Sequence, residues 1–193
     1  AKSIQIVKAM FNYAILNDYL KFNVLTSIRF KRGQRKRIEY LSPDELSVLK
    51  LHKFSSQRLQ QTADLFLIQC YTGFSYADLA DFRPAEHIEK DFKGREWIMK
   101  PRAKNGLDSV LPYFPEAKKL VQKYTRTDLI GSVLELPVLS NQKYNSYLKE
   151  IGSILGIKTK LTTHIGRKTF GTIALNDGYS IESVSKMLGD RKS

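Results

Sequence analysis

The sequence predicts a mainly α domain with a small antiparallel β-sheet. Two observations carry that prediction. Apolar residues recur at helical spacing along most of the chain, in runs opened by capping residues and closed by glycines. One short stretch, built around an Asn-Gly pair, instead has the grammar of a β-hairpin. The 193 residues, 42% of them hydrophobic, suffice for one ordinary domain, or for one domain and a piece of another.

Residues 3–20 read as a helix, with Ile4, Val7, Phe11 and Ala14 at helical spacing. Residues 29–37, RFKRGQRKR, hold six basic residues, one glycine and no acid, and read as a linker. Such a segment either lies along a phosphate backbone or is a solvated charge run. Ser42-Pro43-Asp44-Glu45 has the form of a helix start, with Ser as N-cap and Glu placed for a capping box. The next helix carries Leu59, Ala63, Phe66, Leu67 and Cys70 on one face and ends at Thr72-Gly73. A short helix is expected around 76–82. Strands over 97–102 and 109–111 flank Lys104-Asn105-Gly106. Helices follow at 115–124 and 142–155, the second with a stripe of Tyr144, Tyr147, Leu148, Ile151 and Leu155. A helix over 163–176 is closed by Gly178, and a last one starts at Ser180 and stops near Gly189.

Lys and Arg number 32 against 19 acids, a formal charge of +13, which fits a polyanionic partner and points first to nucleic acid. No apolar run approaches a membrane span and no signal-peptide pattern is visible. Cys70, the single cysteine, has no partner for a disulfide and reads as a buried thiol in a reducing compartment. The first residue is Ala, so further sequence on either side is expected.

The sharpest chemical element is His164-Ile165-Gly166-Arg167, which sets His and Arg on one face of a helix that also carries Lys168. Much of the remainder of that helix is apolar or small, so the guanidinium is expected to be buried and to need an anion. A phosphate fits, because the Arg fork binds two of its oxygens at once. The alternative is a structural carboxylate, with Asp78 as the candidate. Lys104, at the hairpin tip, can protonate a leaving oxygen or clamp a phosphate, or is an ordinary turn lysine. Arg102 is expected on the same strand face as Lys104. No cluster of acids suggests a metal pair, His52, His87 and His164 are scattered, and no phosphate-binding GxxxxGK[ST] loop occurs; metal and cofactor are therefore expected to be none.

The order of these motifs resembles the tyrosine recombinase, or phage integrase, family. They run from Leu41-Ser42-Pro43-Asp44-Glu45-Leu46 through Tyr71-Thr72-Gly73-Phe74-Ser75-Tyr76-Ala77-Asp78-Leu79 and Arg102-Ala103-Lys104-Asn105-Gly106. Thr163-His164-Ile165-Gly166-Arg167-Lys168-Thr169-Phe170, Asp177-Gly178-Tyr179-Ser180-Ile181 and Met187-Leu188-Gly189 complete the series. The likeness covers roughly 40–190 and looks nearest to the branch on conjugative transposons of Bacteroides-type bacteria. It implies the catalytic-domain fold of that family over 41–193, a basic linker over 31–40, and a last core-binding-domain helix over 1–30. It implies metal-free transesterification on double-stranded DNA through a 3′-phosphotyrosyl link, integrating or excising a mobile element. Arg167 would be the second catalytic arginine, His164 the motif histidine and Lys104 the general acid. Arg102, Lys168 and the linker residues Arg32, Arg35, Lys36 and Arg37 would contact DNA. The implied setting is the bacterial cytoplasm, at the nucleoid and not at a membrane, with a tetramer in the synaptic complex and a monomer for this chain alone.

Three positions depart from the family pattern. Ser75 stands where most members have their first catalytic arginine, and Arg102 or Arg83 are candidates to compensate for it. Asp190 stands where His or Trp is usual, and a carboxylate there would repel a phosphate. The nucleophilic tyrosine is expected two or three helical turns past Gly189, beyond Ser193, at ~3.6 residues per turn; the chain alone would then cleave nothing. Tyr144, Tyr147 and Tyr179 are not expected to take that role. The main competitor is a non-catalytic DNA-binding relic of an integrase, acting as regulator or architectural factor. A metal-dependent nuclease lacks its acids, and an RNA-binding module lacks the aromatic strand pattern.

Overall fold

The computed structural model describes residues 2–26, 38–104, 106–125 and 135–190. Arg32, Arg35, Lys36 and Arg37 of the basic run, and Asn105 of the hairpin, lie outside the described residues. The chain divides into two compact units, Ala1–Arg37 and Ile38–Ser193.

In the first unit, α1 spans Lys2–Leu16. It stops short of the expected residue 20 because Asp18 takes a left-handed φ of 59°. That turn lets the Tyr19 N–H reach back to the Ala14 carbonyl at 2.8 Å, a capping bond that ends the helix. Asn23 then braces the turn, donating to Asn12 Oδ1 at 2.6 Å and accepting from the Leu25 N–H at 2.9 Å.

The second unit holds α2 (Pro43–Leu51), α3 (Gln57–Thr72), α4 (Tyr76–Ala80), α5 (Pro84–His87), β1 (Ile88–Lys90), β2 (Glu96–Pro101), β3 (Asp108–Pro112), α6 (Pro115–Tyr124), α7 (Asn141–Ile154), α8 (Thr163–Asn176) and α9 (Ile181–Met187). The reciprocal Ser42–Glu45 capping box opens α2 as its sequence predicts. Glu45 does more than cap, since its carboxylate also accepts from the Lys158 and Thr159 N–H groups and holds the loop before α8.

Helix α3 is the hub. Leu65, Phe66 and Ile68 are fully buried, and α6, α7 and α8 pack around it. Its buried polar groups are all matched. Gln69 accepts from the Tyr144 hydroxyl at 3.0 Å and donates to the Phe74 carbonyl at 3.1 Å. Asp64 accepts from Lys123 Nζ and the Tyr124 hydroxyl. Gly166 lets α8 approach α3 closely, for a Cβ there would lie 3.0 Å from Gln69 Cβ and 3.3 Å from the Phe66 ring. Arg167 is the next residue along.

The sheet is antiparallel in the order β1-β2-β3, with Pro101 opposite Asp108. The β2–β3 hairpin falls where Asn-Gly predicts it, but its loop is wider than the tight two-residue form. Arg102 N–H donates to the Leu107 carbonyl at 2.9 Å and Gly106 N–H to the Arg102 carbonyl at 2.8 Å. Strand β1 is too short, at three residues, to show a two-residue alternation in the sequence. The Ser109 hydroxyl donates to the Met187 carbonyl, which clips β3 to the end of α9.

Gly73 ends α3 with φ 70°, and a Cβ there would meet Leu188 and Phe170 at 2.6 and 2.7 Å. Strain and crowding add, so Gly73→Ala should lower stability by roughly 2–4 kcal/mol in urea unfolding. A loss below about 1 kcal/mol would show that Leu188 and Phe170 can give way.

Candidate anion-binding site

Arg167 lies in the first half of α8, and its guanidinium turns inward between the ends of two other helices. Nη1 donates to the Gly73 carbonyl at 2.8 Å and Nη2 to the Leu188 carbonyl at 2.6 Å. Both carbonyls belong to helix ends that lack intrahelical donors, so the cation meets the negative poles of α3 and α9. Nη2 also donates to Asp190 Oδ1 at 2.9 Å. The structural carboxylate partner is thus Asp190 rather than Asp78. Burial is the largest influence on Arg167 and pulls its pKa down, while Asp190 pulls it back up. A guanidinium stays charged in either case.

Arg102 enters from the hairpin. Its side chain is only 9% exposed, and Nη1 donates to the same Asp190 Oδ1 at 2.9 Å. Its Nε lies 3.5 Å from Asp78 Oδ2 without hydrogen-bond geometry. Arg102 therefore does not share an outward face with Lys104, which is exposed. The residue lies past the last paired strand position, Pro101, where strand alternation no longer governs direction.

Asp78 anchors this corner. Its Oδ2 accepts from the Ser75 hydroxyl at 2.6 Å and the Ser75 N–H at 3.2 Å, and its Oδ1 accepts from the Ala103 N–H at 3.0 Å. Burial raises the pKa of Asp78, but these bonds and the Arg102 charge outweigh it and hold the carboxyl below its ordinary value. Ser75 is the N-cap of α4 and forms a capping box with Asp78. The S-x-x-D spacing was the available sequence signal for Asp78 as a cap.

Arg102, Arg167, Asp78, Ser75 and Asp190 thus converge. His164, one turn before Arg167, is exposed at the rim, and the charges of Lys168, Arg167, Asp190 and Lys104 all act on it. Arg83 does not join them; it pairs with Asp81 at 3.0 Å and Glu135 at 3.2 Å. The Tyr144 hydroxyl is buried on Gln69, and Tyr147 lies under the Arg58 guanidinium at 4.6 Å. Among the described residues no group of three His, Cys, Asp or Glu side chains is placed to hold a metal ion. No helix among them is long and apolar enough to cross a membrane.

No family model matches the chain. A tyrosine recombinase XerC from Thermodesulfovibrio yellowstonii is 22% identical over 210 residues, covering 98% of this chain and 66% of that protein. Among solved structures, a lambda integrase dimer bound to a COC' core site aligns with TM-score 0.71 at 14% identity, over 98% of this chain and 68% of its own. The Tn1549 transposon integrase in complex with circular intermediate DNA gives 0.66 at 17%, over 99% and 70%. XerA recombinase gives 0.56 at 21%, over 98% and 65%. The fold is that of the tyrosine recombinase catalytic domain. The chain is similar to tyrosine recombinases and integrases and spans about two thirds of the length of those it matches. Nothing in these likenesses singles out the Bacteroides-type branch.

In this fold His164, though exposed, is held below its ordinary pKa, first by partial desolvation of its ring and then by the charges of Lys168 and Arg167. The unfolded chain then carries a proton that the folded one lacks between the folded value and 6.5. Stability rises with pH across that window, and the His164 contribution is lost as pH falls through it. An NMR titration of the ring should give a midpoint below 6.5, and His164→Gln should flatten that part of the acid stability loss. A midpoint at or above the ordinary value would contradict the cationic surroundings of His164.

Proposed function

We propose that the chain is the phosphate-binding part of a site-specific DNA recombinase, with Arg102 and Arg167 as the seat of the scissile phosphodiester. The observation that carries this reading is the convergence of two buried guanidinia on a single anion oxygen, that of Asp190. Fixed cations of this kind stabilise the charge that develops on a pentacoordinate phosphorus. Similarity to recombinases and integrases, two of them solved bound to DNA, supports the same partner. The charge of +13 supports it independently.

In this reading Arg102 supplies the charge that Ser75 cannot, and Arg83, committed to Asp81 and Glu135, does not. Ser75 instead positions Asp78, which flanks Arg102. A tyrosine hydroxyl releases its proton to solvent as its oxygen attacks phosphorus, the bond to the 5′-oxygen breaks, and Lys104 gives that oxygen its proton. The product is a 3′-phosphotyrosyl link, which a 5′-hydroxyl of the partner duplex reseals in the reverse sense. The attacking tyrosine is proposed to follow Gly189. His164 donates to a non-bridging oxygen at the rim. The basic run over 31–40 would lie on the DNA backbone, between a core-binding helix in 1–30 and the catalytic domain in 41–193. The synaptic assembly would be a tetramer.

Asp190 favours one second reading, a DNA-binding relic that no longer cleaves, because its carboxylate sits on both arginines. The two readings separate on a suicide substrate carrying the cognate attachment site, with the full-length protein and EDTA present. The recombinase should give a covalent protein–DNA band on a denaturing gel. Arg167→Ala and Arg102→Ala should each lower its yield by about 100-fold or more, the scale of losing one preorganised donor. Arg83→Ala should leave it unchanged. Binding without any band would favour the relic.

A further inference from the structure

Resting on the reading of Arg102 and Arg167 as a phosphate seat, we propose that Asp190 is a built-in stand-in for the phosphate. Its carboxylate closes the seat, and DNA enters when that side chain swings out. The device is local. Both arginines are about nine-tenths buried, whereas the Asp190 side chain is 50% exposed. The Arg167 wall of the seat is fixed by groups that do not depend on Asp190. Arg167 is held by the Gly73 and Leu188 carbonyls, and Arg102 lies beside Asp78.

The backbone under Asp190 is fixed as well. Its N–H donates to the Ser185 carbonyl at 3.0 Å, and the Ser185 hydroxyl donates to the Asp190 carbonyl at 3.4 Å. Gly189, at φ 56°, lies so close to the Arg102 stem that a Cβ would meet its Cδ at 2.7 Å. Opening therefore needs a side-chain rotation at Asp190 and no movement of α9. A short, half-exposed side chain makes that rotation at small cost.

The exchange is also balanced in charge. A carboxylate and a phosphodiester each bring one negative charge and oxygen acceptors for the guanidinium fork. The Nη1 of Arg102 and the Nη2 of Arg167 cannot serve Asp190 and a phosphate oxygen at full strength together. Two anions in one small seat would repel. Asp190 also keeps the two guanidinia from facing each other uncompensated while the site is empty. The seat is then preformed but masked, and only a ligand that displaces the carboxylate opens it. A self-occupied site binds an external anion more weakly by the fraction of molecules that are open.

The test is a calorimetric titration of inorganic phosphate into the 193-residue chain, its Asp190→Asn variant and its Arg167→Lys variant, with circular dichroism to establish folding. Asp190→Asn should bind phosphate about tenfold more tightly, as expected if roughly one molecule in ten is open in the native chain. Arg167→Lys, which keeps the charge and loses the fork, should bind more weakly than either. Equal or weaker binding by Asp190→Asn, with Arg167→Lys still impaired, overturns the masking role and leaves the phosphate seat standing. Phosphate binding that is absent from all three, or indifferent to Arg167→Lys, overturns the seat itself. Should Asp190→Asn fail to fold, carbon NMR of the native chain decides. On saturation with phosphate the Asp190 carboxylate signal should move to the position of a solvated aspartate, and a signal that stays in place overturns the proposal.

Discussion

The Arg167 guanidinium is the knot of this structure. It joins the end of α3, through the Gly73 carbonyl, to the end of α9, through the Leu188 carbonyl, and does so from α8. One side chain thereby ties α3, distant in sequence, to the consecutive helices α8 and α9. The arrangement answers two needs together. The orphan carbonyls at two helix ends find a donor, and the buried cation finds negative partial charge. Gly166 and Gly73 are the complements of that knot. Gly166 brings α8 close to α3, and Gly73 turns the chain so that its carbonyl meets the guanidinium, with Leu188 and Phe170 packed against its bare Cα.

Around this knot the site solves a charge problem. Two unit charges of like sign 4 Å apart repel by about 4 kcal/mol at an effective dielectric of 20, less where water screens them. Arg102 and Arg167 share one oxygen of Asp190, so two attractions of similar size oppose the repulsion. Asp78 adds a second carboxylate on the far side of Arg102, held ionised by Ser75 and the Ala103 N–H against the cost of burial. With a serine at position 75 the corner still holds a cation. The charge arrives from the hairpin, and the serine becomes part of the support for the carboxylate beside it. The clip from Ser109 to Met187 makes this possible, because it holds the hairpin beside the end of α9.

Much of the fold was legible in the sequence because its signals are local. The Ser42–Glu45 and Ser180 caps, the glycines at 73 and 178, and the apolar stripes of α3 and α7 each act over a few residues. The helices over 115–124 and 163–176 fall where their patterns put them. Misses came where a local signal was weak or overruled. Strand β1 has three residues, and α1 stops at Leu16 because Asp18 turns left-handed within an otherwise helical pattern.

The sequence by itself determined the element types, the excess of positive charge, and the membership of His164 and Arg167 on one helix face. It also set Lys104 in the hairpin turn. What only the tertiary structure decided is which charges meet. Arg102 read as a strand residue beside Lys104, and Asp190 read as a carboxylate that would repel a phosphate. Arg102 and Arg167 meet at Asp190, which lies 88 residues from Arg102 and 23 from Arg167. No periodicity reaches that far. Side-chain pairing over such distances follows from the packing of α8 on α3 and of the hairpin on α9, and those contacts exist only once the chain is folded.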